Sequence, residues 1–202
     1  LRQAAAAAGL TSPKIMTVTL PAAEGSAVAR GRDLKIRLFE SVRAFANGEA
    51  EAIYLPGWTE LALLPELKAE TQAPLVDFFA VMRAHLAAAH PDVRTVGLLA
   101  GADEQARLAP GSALGPVAVC FSRTELGMAS APDAIRNAAA DLRAQGAQVI
   151  VPAPGHAAAI RELQIAGLPV IDSAAVYAAG GLRPATARPK PFKIGIVGGV
   201  GP

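Results

Sequence analysis

Two stretches of this chain repeat one another, and the repeat narrows the architecture more than any other feature. One is AIYLPGWTELALLPELKAETQAPLVD, ending at Asp77; the other is QVIVPAPGHAAAIRELQIAGLPVID, ending at Asp172. Each runs through a short apolar strand, a Pro-Gly turn, a helix-length segment, then Pro, two aliphatic residues and Asp. A supersecondary unit used twice implies two similar lobes facing across a pseudo-twofold axis. In open parallel sheets, ligands bind beyond the carboxyl ends of the strands. Both Pro-Gly turns therefore belong where a ligand between the lobes would be touched.

The rest of the chain keeps the same alternation of strand-length and helix-length segments. Strands are expected over 14–19, 51–55, 74–77, 93–99, 116–121, 148–151, 168–171 and 193–197. Helices are expected over 33–46, 59–70, 78–89, 132–145, 157–165 and 173–179, with Ser130 or Asp133 near the cap of the fourth. Strands that are apolar throughout belong to parallel sheets covered on both faces. The expected fold class is α/β: two similar Rossmann-like lobes with parallel sheets related by a pseudo-twofold. Residues 1–92 with 172–202 make the first lobe in this reading, and 93–171 the second.

Alanine inflates the 52% hydrophobic content, and only 4% of residues are aromatic, so Val, Ile, Leu and Ala must build the core. No apolar run approaches the ~18 residues of a membrane span, and no basic-then-apolar leader is present. The chain reads as soluble and cytoplasmic, with no membrane partner. A net charge of +2, with both signs interspersed, lacks the basic face that phosphate contacts require. Nucleic acid is not an expected partner. The single Cys120 excludes an internal disulfide and a cysteine-rich zinc site. His85, His90 and His156 have no metal-ligand spacing, so neither a metal nor a cofactor is expected.

Residues 192–202, FKIGIVGGVGP, resemble the opening strand and loop of aspartate racemases, whose GGMGP-type loop borders the substrate. The two repeated turns are similar to the same family. Its first signature is Pro-Cys-Asn-Thr, a helix, then Pro-Val-x-Asp; here stand Pro56-Gly57-Trp58-Thr59 and Pro74-Leu75-Val76-Asp77. Its second is Gly-Cys-Thr-Glu, a helix, then Leu-Pro-Val-Ile-Asp; here stand Ala153-Pro154-Gly155-His156 and residues 168–172. VRTVGLLAG, at 93–101, resembles the segment that opens the second lobe. The chain thus resembles the aspartate/glutamate racemase superfamily over nearly its whole length, most at the strands and least at the chemistry.

The resemblance implies a cofactor-independent, PLP-free amino-acid racemase. Such an isomerase removes a Cα proton on one face and returns one on the other, using two thiols. Gly57 and Pro154 occupy the two cysteine positions and carry no ionisable group. The family's carboxylate-gripping arginine falls near Ser26. Two-thiol racemisation is not expected of this unit as written, and no catalytic residue is assigned. The substrate-binding candidates are Thr59, Trp58, Gly155, His156, Gly198, Gly199 and Gly201. Thr59 keeps the family's threonine, His156 stands where the family carries Glu, and either can instead cap a helix. Trp58 lines a cleft or simply packs. Asp77 and Asp172 read as N-caps, Cys120 as an inert core thiol, and His85 and His90 as helix-surface and helix-end residues. Arg30, Arg32 and Lys35 read as a solvated face.

Two functional readings follow. In the first, the chain belongs to a racemase-superfamily enzyme, and 193–197 is either the displaced first strand of this unit or the start of a second copy. In the second, it is a non-catalytic racemase-like module, a pseudoenzyme kept for dimerisation, regulation or small-acid binding. The absent cysteines favour the second for this unit. A nucleotide site is weaker still, because 198–201 offers neither the P-loop Lys nor a complete GxGxxG. The expected partners are a small carboxylate or amino-acid ligand and further copies in a homo-oligomer. The family's first strand is central to the first lobe, and a missing middle strand would leave its neighbours' backbone groups unpaired. Residues 193–197 are therefore expected to fill that slot beside 14–19, within the chain or exchanged with a partner.

Overall fold

The computed structural model of the chain describes residues 14–20, 27–55, 63–101, 105, 114–122, 131–153, 159–165, 167, 169–180, 182 and 193–200. Its elements are β1 (Lys14–Leu20), α1 (Ala27–Asn47), β2 (Ala52–Tyr54), α2 (Leu64–Glu70), β3 (Leu75–Val76), α3 (Phe78–Ala89) and β4 (Thr95–Leu99). There follow β5 (Ala118–Phe121), α4 (Pro132–Ala144), β6 (Val149–Pro152), α5 (Ile160–Ile165), α6 (Ser173–Gly180) and β7 (Lys193–Val200). The fold is α/β with two sheets, one ordered β1-β7-β2-β3 and the other β5-β4-β6, and every pairing is parallel. Among the described residues no helix is long and apolar enough to cross a membrane.

The chain divides into two compact units, Leu1–Phe78 with Ala178–Pro202, and Phe79–Tyr177. The divisions fall within α3 and α6, whereas the sequence reading set the boundaries at 92/93 and 171/172. Packing explains the difference. Helix α3 already belongs with the second unit, where its Arg83 lies against Gly115. The end of α6 is held in the first unit, where the buried Tyr54 hydroxyl donates to the Ala178 carbonyl at 2.6 Å.

Each unit has a central strand, β7 in one and β4 in the other, flanked on both sides. Gly195 of β7 pairs with Met16 and Ile53; Gly97 of β4 pairs with Cys120 and Ile150. Beyond β2, the Ile53 amide donates to Pro74 O at 2.9 Å; beyond β6, the Ile150 amide donates to Pro169 O at 2.9 Å. The outermost strand is two residues long in the first unit and a single bridge, Ile150 with Val170, in the second. The expected strand at 168–171 shrinks to that bridge. Pro169 has no N–H to donate, which shortens the ladder as Pro74 does in the other unit.

The helix ends repeat as well. After α4, the Gly146 amide donates to Arg143 O and the Ala147 amide to Leu142 O, with Gly146 at φ +89°. After α1, the Glu49 amide donates to Ala46 O and the Ala50 amide to Phe45 O, with Glu49 at φ +59°. Both are Schellman closures. The closure after α4 uses glycine, the residue best suited to left-handed backbone, and the closure after α1 holds a glutamate there. Each closure turns the chain into the next strand with the helix over the central one.

That closeness demands a glycine in each central strand. A Cβ on Gly195 would lie 2.5 Å from the Phe45 ring, and one on Gly97 would lie 3.0 Å from Leu142 Cδ1. Around Gly97 the core comprises Leu99, Ile135, Ala138, Ala139, Leu142, Ala147, Ile150, Ala159 and Leu163. In the first unit Leu38, Val42, Phe45, Ile53, Ile194 and Val197 are buried.

Two further expectations are corrected. The strand at 193–197 runs on to Val200, so Gly198 and Gly199 lie in β7 rather than in a turn after it. Leu20 pairs with Val200 across a register shift between Val18 and Leu20, and this irregularity lets both strands continue. Asp133 does not cap α4: the N-cap is Ala131, without a side-chain bond, and Pro132 opens the first turn. The Asp133 carboxylate instead pairs with Arg136, which also reaches Glu162 of α5 at 2.7 Å. Ser130 lies outside the described residues.

The two glycines should respond unequally to a methyl group. Gly195→Ala is expected to lower stability by about 1–3 kcal/mol, because the aromatic ring cannot yield without leaving the core. Gly97→Ala should cost less, since the end of Leu142 can turn aside. Urea denaturation midpoints of the two variants check the order.

Candidate functional site

The candidate region lies at the carboxyl edge of each parallel sheet. In the first unit, Tyr54 of β2 pairs with Ile196 of β7 on one side and with Val76 of β3 on the other. Tyr54 and Leu55 are both buried, so β2 ends inside the core immediately before residue 56. The Tyr54 hydroxyl on Ala178 O fixes this end against α6. Gly198 and Gly199 follow Ile196 in the neighbouring parallel strand, so the glycine run and the end of β2 lie at the same edge.

The second unit repeats this arrangement. Leu99 of β4 pairs with Pro152 of β6, and the Ala153 amide donates to Leu99 O at 2.8 Å. The fully buried Ser173 donates its hydroxyl to Pro152 O at 2.5 Å. Asp172 accepts the Ala175 amide at 2.9 Å and so caps α6. Past β4, Gln105 donates its side-chain amide to Ala100 O at 2.8 Å and its backbone amide to Gly101 O at 3.0 Å. The end of β6 is thus held by β4 and by α6.

Gly57, Trp58, Thr59, Pro154, Gly155, His156 and Gly201 lie outside the described residues. Gly198 and Gly199 are within β7. Asp77 directly precedes α3, as an N-cap would. Lys35 is exposed, pairs with Glu66 at 2.6 Å and lies over the Phe39 ring. Tyr54 and Ser173, which hold the two strand ends, escaped sequence reasoning. The one signal for them was a hydroxyl in or beside an otherwise aliphatic strand.

Cys120 is a half-buried residue of β5, packed against the Leu99, Ile135 and Leu142 cluster, with its thiol donating weakly to Val96 O at 3.7 Å. Burial first, then the charge of Asp141, raises its pKa above the ordinary thiol value. It is therefore a poor thiolate.

Comparison with known proteins bears on this geometry. The sequence matches no protein-family model and no curated protein. Solved structures do match. An arylmalonate decarboxylase superposes with a TM-score of 0.56 at 21% identity, covering 89% of this chain and 97% of that one. A candidate Asp/Glu racemase from Yersinia pestis gives 0.54 at 18% identity, covering 74% and 72%. An aspartate racemase homologue from Pyrococcus horikoshii OT3 gives 0.50 at 16%, covering 72% and 70%. The chain has the Asp/Glu racemase fold. At such identities the likeness is one of fold, shared between proteins named for racemisation and for decarboxylation.

His85 and His90, on and after α3, have ring centroids 5.5 Å apart, edge to face. Burial first, then His90, lowers the His85 pKa from its ordinary 6.5.

Two measurements follow. Cys120 should react with a disulfide reagent at least about tenfold more slowly in the native protein than in urea at the same pH, because its thiolate is disfavoured. The unfolded chain protonates His85 first as pH falls. Its contribution to stability is therefore complete above the ordinary value and is lost as pH drops through the lower native pKa. Urea midpoints of wild type should fall between neutral pH and about pH 5 more steeply than those of His85→Gln.

Proposed function

We propose that this chain is a racemase-fold protein that holds a small carboxylate without moving a proton at carbon. The observation that carries the reading is the location of the only thiol. Register makes Ile53 and Ile150 equivalent in their sheets, and four residues beyond each stand Gly57 and Pro154. In the resemblance these are the two cysteine positions, one per lobe. Cys120 instead packs against the apolar cluster under α4, on the edge strand β5 and level with Gly97 of β4.

The chemistry explains why this matters. Racemisation needs a base on one face of Cα and an acid on the other. Decarboxylation of a malonate releases CO₂ and leaves an enediolate that takes up one proton, so a single donor suffices. Neither is supplied by a glycine, a proline or a thiol buried elsewhere. Recognition makes smaller demands. Backbone N–H groups of Gly155, Gly198, Gly199 and Gly201, with the hydroxyl of Thr59 and the imidazole of His156, are the donor types that a carboxylate accepts from. Strand ends held by Tyr54 and Ser173 support such preorganised donors.

The test pairs turnover with binding. Aspartate, glutamate and phenylmalonate are incubated with the protein in heavy water, and α-deuterium and CO₂ are followed. Neither should exceed the protein-free control. Calorimetry with the same acids should show saturable binding, weakened by Thr59→Ala about two- to tenfold for one lost hydrogen bond. Exchange or decarboxylation above the control would overturn the non-catalytic reading, and its loss in Cys120→Ala would assign it to that thiol; failure to bind any of the acids would overturn the ligand reading.

A further inference from the structure

We propose that β7 is an exchangeable strand, and that the protein forms a homodimer in which each copy lends Lys193–Val200 to the first unit of the other. The argument begins with the order of strands. Each half of the chain runs edge strand, helix, strand, helix, outer strand, helix and then a central strand. The first half is β1-α1-β2-α2-β3-α3-β4, and the second is β5-α4-β6-α5-Val170-α6-β7. The central strand that closes each half pairs with the strands of the other: β4 with β5 and β6, and β7 with β1 and β2. The fold is thus a ring of two repeats, each giving its last strand away. Such a ring closes equally well when the receiving strands belong to another copy.

The second observation is what β7 touches. It bonds along its length to β1 and β2, and its Gly195 takes the Phe45 ring of α1. Its first residue is fastened there too. Glu51 N donates to Lys193 O at 2.8 Å, and the Lys193 ammonium donates to Gly48 O and pairs with Glu49, each at 3.2 Å. All these partners come from residues 14–54. Covalently, β7 hangs from α6 through residues 181–192, which include Pro184, Pro189 and Pro191. Every contact of β7 is therefore available to the β7 of a second copy, and only the connection would differ.

The third is energetic. Without β7, the facing edges of β1 and β2 carry unpaired backbone groups beside the exposed Phe45, and that slot accepts little but this strand. A tethered strand competes at an effective concentration of roughly millimolar, so the closed monomer is favoured in dilute solution. Proline-rich connections are stiff and extended, which weakens that advantage. Exchange also brings Gly198 and Gly199 from one copy to the end of β2 in the other, so the donors of the ligand reading would come from both chains. The exchange itself does not depend on that reading.

The test begins with the unaltered protein, refolded from urea at low and at high concentration and sized by light scattering. A dimer share that grows with the concentration present during refolding, and then survives dilution, is expected. A monomer at every concentration overturns the proposal. The connection is read with Thr17→Cys and Ile196→Cys in a Cys120→Ala background, because Thr17 and Ile196 are paired neighbours. Oxidised dimer should run at twice the mass of one chain in non-reducing detergent; dimer that separates into internally cross-linked monomers overturns exchange. Deleting residues 185–188 shortens the connection and should shift the population to dimer by at least about tenfold, as shortened hinges do. A shortened chain that stays monomeric with an unchanged urea midpoint also overturns the proposal.

Discussion

Everything in the first unit depends on the backbone hydrogen bonds of a strand that arrives from far along the chain. β1 and β2 are not neighbours; each pairs with β7 and neither with the other. The buried Ile194 and Val197 fill the space between the flanking layers, and Gly195 admits the Phe45 ring. Parallel sheets in which both faces are covered have no water to satisfy a bare edge. The strand and its slot are therefore one cooperative object, and the stability of the unit is inseparable from occupancy of the slot.

The second unit shows the same construction with contiguous chain. β4, β5 and β6 fall within 79–177, and Leu142 plays over Gly97 the part that Phe45 plays over Gly195. The shared registers and Schellman closures, and the paired prolines before the outer strands, make the internal repeat structural as well as textual. They also make Ile53 and Ile150 equivalent in their sheets, and Gly57 and Pro154 stand four residues after each in the sequence. The non-catalytic reading rests on that equivalence, since a lone thiol facing the hydrophobic cluster serves neither place.

Much of this was legible in the amino-acid order. Apolar runs marked the strands, and the need to pair a central strand pointed to 193–197. What escaped has physical reasons. The continuation of β7 through Gly198 and Gly199 depends on a register shift in its partner β1, which no local pattern encodes. Glu49 occupies left-handed backbone that Gly146 advertised and glutamate does not. Tyr54 bonds to a residue 124 positions away, so its role at the strand end is a tertiary fact. The shortened outer strands were readable in principle from Pro74 and Pro169. Of the candidate site, the strands that lead to it could be read; the anchors holding their ends could not.

The placement of β7 also sets an order of events during synthesis. The second unit is one continuous segment and can fold as soon as it leaves the ribosome. The first unit, although its β1, β2 and β3 are made earliest, must wait for Lys193. At translation speeds of about 5–20 residues per second, the interval from Tyr54 to Lys193 is on the order of ten seconds. For that time the nascent chain carries two bare strand edges and an uncovered aromatic ring, the kind of surface that chaperones bind. The half of the protein that is translated first is the half that is finished last.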